Sequence, residues 1–306
     1  MTTQRVPWQA KFLALAVIWG SSFLFMMVGL RALEPVQIST LRVLSGGSVL
    51  LALAAATGTR LPRERSTWGH LMVSGFLLST LPFTLFAYGE TRVSSALAGI
   101  GNAVTPIATL LAAMVFLPSD RPTRRKVTGV LLGLLGVVVI LQPWRDLGRP
   151  DLVGFGATLL AGTSYGLGWV YNRRTIGGRD LGGLAQPTAQ LVAAGGQLVV
   201  VLLGWWLVNR SSEALPWSVR PGSAPLWPVL AVLALGVLGT GVAFAFQFDV
   251  VRAAGPTVGA TVTYLIPIVA VLLGVVVLGE RLSWPQLVGA GIVIGSAALT
   301  QRPSKR

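Results

Sequence analysis

A chain of 306 residues that is 53% hydrophobic and 11% charged, with a mean hydropathy of +0.71, is too apolar for a water-soluble globule and falls in the polytopic helical membrane class. A net charge of +14 would point a soluble protein toward nucleic acid; here the basic residues fall mainly between apolar runs, so the charge reads as a topology signal and no nucleic-acid partner is expected. The absence of cysteine excludes disulfides and thiolate metal sites.

In chain order, apolar runs separated by charged residues or by proline and glycine breaks predict ten helical spans. They fall at about 10–30, 35–57, 68–89, 94–117, 126–142, 152–172, 184–208, 225–248, 256–279 and 284–300. About twenty helical residues cross a hydrocarbon core of about 30 Å. The short polar N-terminus enters the first run without a small-residue cleavage motif, so a retained first helix is expected there. In that run Trp19, Ser22, Phe23 and Met26 share one face by i, i+3, i+4, i+7 spacing. The second span carries Arg42, the one basic residue well inside an apolar run. The third carries Tyr88 and ends beside Glu90, and the fourth holds Asn102 and Pro106. Tyr165, Gly168, Trp169 and Asn172 share a face of the sixth span. Gln190 lies in the seventh, Gln247 near the end of the eighth with Asp249 just beyond it, and Thr263, Tyr264 and Pro267 in the ninth. Gly129, Gly133 and Gly136 of the fifth span, and Gly289, Gly291 and Gly295 of the tenth, are expected to let backbones approach closely within a monomer.

With the N-terminus assigned to the cytoplasm, 16 of the 24 basic residues fall inside, among them Arg60, Arg63, Arg65, Arg121, Arg124, Arg125 and Lys126, and 7 fall outside. That imbalance predicts an inner-membrane protein with both termini cytoplasmic.

A proline costs about 3 kcal/mol in a helix interior and leaves a carbonyl without its donor, which in lipid must find another partner. Pro106 therefore marks a place where helix meets helix or cavity. A shift of 161 residues sets "TVTYLIPIVAVLLGVVVL" (261–278) on the run around it, with Pro267 on Pro106 and Leu272 on Leu111. Each run leads to an acid–arginine pair, Asp120–Arg121 and Glu280–Arg281, and then to a glycine-spaced helix. Near the start of each half "IWGSSF" (18–23) matches "SYGLGW" (164–169), so Trp19 meets Tyr165; Arg42 has Gln190 as its counterpart. Five spans per half is odd, so the second half is expected to enter the membrane upside down. The expected architecture is an all-α membrane protein of ten transmembrane helices as two inverted five-helix repeats, 1–147 and 148–306, with a site between them near the midplane. Pro106 and Pro267 are expected to act as hinges around it.

These features resemble the EamA-type members of the drug/metabolite transporter superfamily. The resemblance rests on "AVIWGSSF" (16–23), the arginine of "TLRVLSGG" (40–47), the prolines of spans four and nine, and "LGERL" (278–282), which the first half replaces by "PSDRP" (118–122). It implies a carrier that exports small metabolites, and the chain is similar to the YddG-type amino-acid exporters, which makes amino acids the implied substrates. Carriage of hydrophobic drugs or nucleotide-sugar-like metabolites, a channel, and an intramembrane hydrolase are the alternatives.

Intramembrane arginine usually faces a polar interior, so Arg42 is expected to serve as a substrate or gating contact or to pair with a helix end. Trp19, Ser22, Tyr165 and Trp169 make a mixed aromatic and polar stripe that suits an amphipathic ligand. Tyr88, Asn102, Gln190, Gln247, Thr263 and Tyr264 add hydrogen-bonding groups. Glu90 and Asp249, close to span ends, are expected to be solvated in loops, with proton coupling as the alternative. "GTSYG" (162–166) matches G-x-S-x-G, but Ser164 sits mid-helix and His70, the sole histidine, belongs near a span end. "GAGIVIG" (289–295) imitates a dinucleotide fingerprint without the strand it needs. No cofactor or metal is expected, and transport is expected to run on a gradient.

Overall fold

The computed structural model describes residues 6–117, 122–142, 144, 151–179, 181–209, 215–220, 222–278 and 283–301. Among the described residues the chain is all-helical, without a strand. Helix α1 (Trp8–Gly20) and α2 (Ser22–Gly29) follow one path interrupted at Ser21. Helix α3 (Pro35–Ala56) opens on a capping box in which the Gln37 side chain accepts from the Glu34 N–H at 2.8 Å. Helix α4 (Arg65–Gly75) passes through a π turn, Phe76–Thr80, into α5 (Leu81–Glu90). Helices α6 (Ser95–Ala103) and α7 (Thr105–Phe116) break at Val104. Helices α8 (Arg124–Leu141), α9 (Leu152–Thr175) and α10 (Ala185–Asn209) are continuous. Helix α11 (Leu226–Gly236) passes through a second π turn, Val237–Val242, into α12 (Ala243–Ala254), which stops at Gly255 in the left-handed region at φ 87°. Helices α13 (Pro256–Ala260) and α14 (Val262–Leu278) break at Thr261, and α15 (Trp284–Gln301) closes the fold.

Among the described residues, six stretches are long and apolar enough to cross a membrane: Trp8–Gly29, Pro35–Ala56, Arg65–Glu90, Leu97–Phe116, Ala185–Asn209 and Leu226–Ala254. Shorter apolar helices cover Pro256–Val269 and Trp284–Thr300. In α1, Phe12, Leu15, Ala16 and Gly20 face inward while Leu13 and Val17 are exposed. Of the sequence features, Asp120, Arg121, Glu280 and Arg281 lie outside the described residues.

Helix α8 packs along α15, α3 along α10, α5 and α7 along α9, and α1 along α12 and α14. Small residues set the closest approaches. A Cβ on Gly136 would lie 2.9 Å from the Gly289 carbonyl oxygen, and one on Gly289 would lie 2.7 Å from that of Gly136. Gly129 and Gly133 are equally crowded, by Thr300 and by the Tyr264 ring. Gly291 and Gly295 depart from expectation: a Cβ on either meets nothing within 4 Å. The reason is angular, since Gly289 and Val293 form the face of α15 turned to α8, and Gly291 and Gly295 lie off it.

The two prolines sit differently in their helices. Pro106 occupies the first turn of α7, where its missing N–H has no helical partner to lose. Pro267 lies inside α14, so its missing donor leaves the Thr263 carbonyl without its helical bond. The break in that path comes at Thr261, six residues before the proline. The displacement of 161 residues that superposes the prolines also superposes the starts of the two π turns, Phe76 on Val237, each preceded by a glycine, Gly75 and Gly236.

Candidate functional site

The three helix interruptions converge on one cavity. Ser22 follows the Ser21 break, Asn102 and Thr105 flank the Val104 break, and Ala260, Val262 and Thr263 flank the Thr261 break; all line the cavity. Its volume is about 680 Å³, including the part open to solvent. Its walls are mainly apolar, with seven aromatic residues among them: Trp19, Phe23, Phe83, Phe86, Tyr165, Trp169 and Phe244. Tyr165 stacks on Phe86 with ring centres 5.9 Å apart and meets Phe83 edge-on at 6.3 Å.

Into this apolar setting α3 projects Arg42, which is 7% exposed. Its Nε donates to the Thr240 hydroxyl at 2.8 Å and its Nη2 reaches the Gly239 carbonyl at 3.4 Å. Its guanidinium carbon lies 3.8 Å from the centre of the Phe83 ring, a contact worth about 2 kcal/mol when desolvated. Among the described residues Arg42 has no carboxylate partner. Both of its polar contacts come from the second π turn, whose widened backbone also gives the Gly239 carbonyl to Trp19 Nε1 at 2.9 Å. The first π turn is met in the same crossed way by the other half: Ser164 donates to the Leu77 carbonyl at 2.8 Å. That bond leaves the G-x-S-x-G serine as helix-to-helix glue, while His70 pairs with the Tyr171 hydroxyl at 2.8 Å.

Two polar atoms in the cavity wall are buried without a hydrogen-bond partner, Thr105 Oγ1 and Gln247 Oε1; the Gln247 amide nitrogen is held by the Gly259 carbonyl at 3.1 Å. Ligand pockets of this kind combine an apolar body with a few convergent polar groups. A second cavity, of about 670 Å³ including the part open to solvent, shares Trp169 with the first and is lined by Asn172, Arg173, Arg179, Gln186 and Arg252. Trp169 closes edge-on against Phe248, which also lines the second cavity, at 5.3 Å.

Of the residues singled out in the sequence, Trp19, Ser22, Arg42, Asn102, Tyr165, Trp169, Gln247 and Thr263 come together around the first cavity. Three do not line it. Gln190 is fully buried and accepts from Ser74 at 2.6 Å and Asn172 at 3.3 Å, which turns its amide into the helix interface. Tyr264 is buried against Gly133 and donates its hydroxyl to the Val130 carbonyl at 2.9 Å. Tyr88 lies near the end of α5, with the Arg92 guanidinium 4.9 Å from its ring centre. Phe83, Phe86, Phe244 and Thr105 were not anticipated: an aromatic ring in a membrane helix looks the same in sequence whether it packs or lines a cavity, and a threonine beside a proline carries no mark of its own.

The two acids near span ends also depart from expectation. Asp249 is engaged by Lys11 and Arg252 rather than by loop water alone. Both carboxyl oxygens of Glu90 are buried without a hydrogen-bond partner.

The sequence profile of the EamA-like transporter family matches residues 7–142 and 152–302, two copies in one chain. An Escherichia coli K12 protein named "uncharacterized inner membrane transporter YedA" is 26% identical over 298 residues, covering 97% of this chain and 91% of its own. Protein PecM of Dickeya dadantii is 26% identical over 93% of this chain and 89% of its own. A Salmonella typhimurium protein named "probable amino-acid metabolite efflux pump" is 25% identical over 92% and 91%. A solved crystal structure superposes with a TM-score of 0.73 over 95% of this chain and 94% of that chain at 22% identity, a likeness of fold. The chain is a multi-pass membrane protein and belongs to the EamA-like transporter family of the drug/metabolite transporter superfamily.

Proposed function

We propose that this chain is a secondary transporter that exports small metabolites, amino acids first among them, by alternating access around the aromatic cavity. The observation that carries this reading is Arg42: a buried guanidinium in an apolar, aromatic cavity with no carboxylate partner among the described residues. A buried charge is costly unless paired, so its counter-charge is assigned to the substrate, whose carboxylate docks there. Trp19, Tyr165 and Trp169 receive the apolar part, and Ser22, Asn102, Gln247 and Thr263 its polar edges. The Salmonella relative's name, at 25% identity, supports the amino-acid class.

The architecture proposed with it is ten crossings arranged as two inverted five-helix repeats, 1–147 and 148–306, working as a monomer with both termini in the cytoplasm. The matched π turns, the crossed contacts of Trp19 and Ser164, and the two family matches support the repeat. Reporter fusions at residues 1 and 306 test the orientation, and an external signal at either end overturns it.

Purified protein in proteoliposomes, offered radiolabelled L-leucine, L-phenylalanine, nucleotide sugars and hydrophobic cations in parallel, tests the function. Saturable amino-acid flux that disappears in Arg42→Gln supports the reading. Flux of only the drugs or nucleotide sugars replaces the substrate class, and flux that does not saturate replaces the carrier with a channel.

A further inference from the structure

Two oxygens in the wall of the first cavity have no partner, and their chemistry fixes what they lack. Gln247, 1% exposed, donates from its amide nitrogen to the Gly259 carbonyl at 3.1 Å. A carbonyl only accepts, so the nitrogen is the atom that faces Gly259, and the atom left over is Oε1, which accepts hydrogen bonds and can donate none. It is buried without a partner. Thr105, also 1% exposed, stands at the start of α7 with its hydroxyl equally unpartnered, whereas Thr109, one turn on, closes its own hydroxyl onto the Thr105 carbonyl at 2.8 Å. Helix α13 packs against both α7 and α12, and both side chains line the same cavity as Arg42.

The serine and the other threonine of that wall have committed their protons: Ser22 donates to the Ile18 carbonyl at 3.1 Å and Thr263 to the Ala260 carbonyl at 2.9 Å. The cavity therefore offers a ligand a donor-only group, Arg42, and a set of oxygens that mostly accept. Thr240, which holds Arg42, and Gln247 lie seven residues apart on one helical path, about 10 Å of rise. The nitrogen and the carboxylate of an α-amino acid are about 3 Å apart, and a hydrogen bond of about 3 Å at either end extends the reach to about 9 Å. One amino-acid backbone thus spans from the donor to the acceptors.

We propose that Gln247 Oε1 and the Thr105 hydroxyl are the ammonium subsite of this cavity, so that the protein selects α-amino acids over acids of the same shape that lack the amine. The proposal rests on the amino-acid reading above. With the substrate's carboxylate on Arg42, its ammonium group donates to the two orphaned oxygens, and the zwitterion brings its own balancing charge into a wall that holds no carboxylate among the described residues. An acid without the amine leaves both oxygens buried and unpaired, which is how a site built for a hydrogen-bonding group rejects an analogue that lacks it.

The test titrates full-length protein in detergent at pH 7, by calorimetry, with L-leucine and with 4-methylpentanoate, the same molecule with hydrogen in place of the ammonium group. It is run in N-methylglucamine chloride and again in sodium chloride. The wild type is expected to bind leucine about a hundredfold more tightly than the analogue in either salt, since two hydrogen bonds to a charged donor go with the ammonium group. Thr105→Val and Gln247→Leu remove the oxygens at nearly constant shape, and each is expected to bind leucine about tenfold more weakly and the analogue no more weakly. Thr105→Val deletes a hydroxyl that bonds nothing, so without ligand it is expected to melt no lower than the wild type. Should Gln247→Leu, which also loses the bond to Gly259, fail to fold, Thr105→Val alone decides. Equal affinity of the wild type for leucine and the analogue assigns the two oxygens to water and overturns the proposal while leaving the carboxylate site at Arg42 intact. A full leucine preference in the variants overturns it too, as does leucine affinity that appears only with sodium, which hands the oxygens to that ion. If neither ligand binds the wild type, the proposal and the amino-acid reading fall together.

Discussion

The guanidinium carbon of Arg42 sits 3.8 Å from the centre of the Phe83 ring while its Nε donates to Thr240, so one side chain from α3 ties together the start of α5 and the second π turn. Lysine keeps the charge but has neither the planar face nor the Nε donor. Arg42→Lys is expected to lose about tenfold in transport and Arg42→Gln more, with both inserted in the membrane at wild-type levels. Initial rates in proteoliposomes, normalised to reconstituted protein, measure this; a lysine variant at wild-type rate would reduce the role of Arg42 to charge alone.

The unequal placement of the two prolines predicts unequal variants. Pro106→Ala changes a first-turn position and is expected to shift stability by less than about 1 kcal/mol. Pro267→Ala restores a donor to the Thr263 carbonyl inside α14, so a higher melting temperature together with slower transport is expected. Melting and flux measured on the same preparations decide it: parallel losses of both would make the proline a packing element only.

Glycine contacts sort the helix crossings by tolerance. Gly136→Ala and Gly289→Ala place a methyl against a facing backbone carbonyl and are each expected to cost about 1–3 kcal/mol. Gly291→Ala and Gly295→Ala, two and six residues along the same helix, are expected to be neutral or slightly stabilising through helix propensity. Thermal melts of the four variants in one detergent form the comparison.

Asp151 caps α9, accepting from the N–H groups of Val153 and Gly154 at 2.9 Å each, and pairs with Arg92 at 3.1 Å. The Gly154 N–H first, and then Arg92, hold its carboxyl below the ordinary value of 3.8. A depressed carboxyl contributes stability above its unfolded value and loses it as the pH falls through the folded one. Asp151→Asn keeps the cap and removes the charge, so it is expected to melt slightly below the wild type at pH 7, with the gap closing below about pH 4. A gap that persists at low pH would assign the effect to something other than ionisation.

How much of this was legible depended on whether a residue's partner lay on its own helix. Trp19 and Ser22 share a face by spacing alone, and Pro106 announced the break beside it; both are properties of one segment. Gln190 looked equivalent to Arg42 because the repeat aligns them, but its amide oxygen is claimed by Ser74 and Asn172 from two other helices, which holds the side chain in their interface. Glu90 looked like a loop residue because it ends a span, yet it is buried by the elements packed against α5, which no local pattern records. The π turns were hidden for a related reason: the apolar runs that contain them continue without interruption in composition.

Those turns also fix the phase of everything that follows them. An α-helix advances about 100° and 1.5 Å per residue, and a π turn absorbs one residue beyond an α-helical turn, so tightening Val237–Val242 to α geometry with every residue kept would swing the rest of that span through about 100° and push it on by about 1.5 Å. Phe244 and Gln247 would leave the wall, and Asp249 would turn from Lys11. The same tightening of Phe76–Thr80 would move Phe83, Phe86 and Glu90, whereas deleting one residue along with it would leave the downstream face in place. Each repeat therefore holds a single-residue dial that sets which side chains its middle span shows to the cavity, and related chains of equal span length that lack a π turn at these positions would present a different face to whatever they carry.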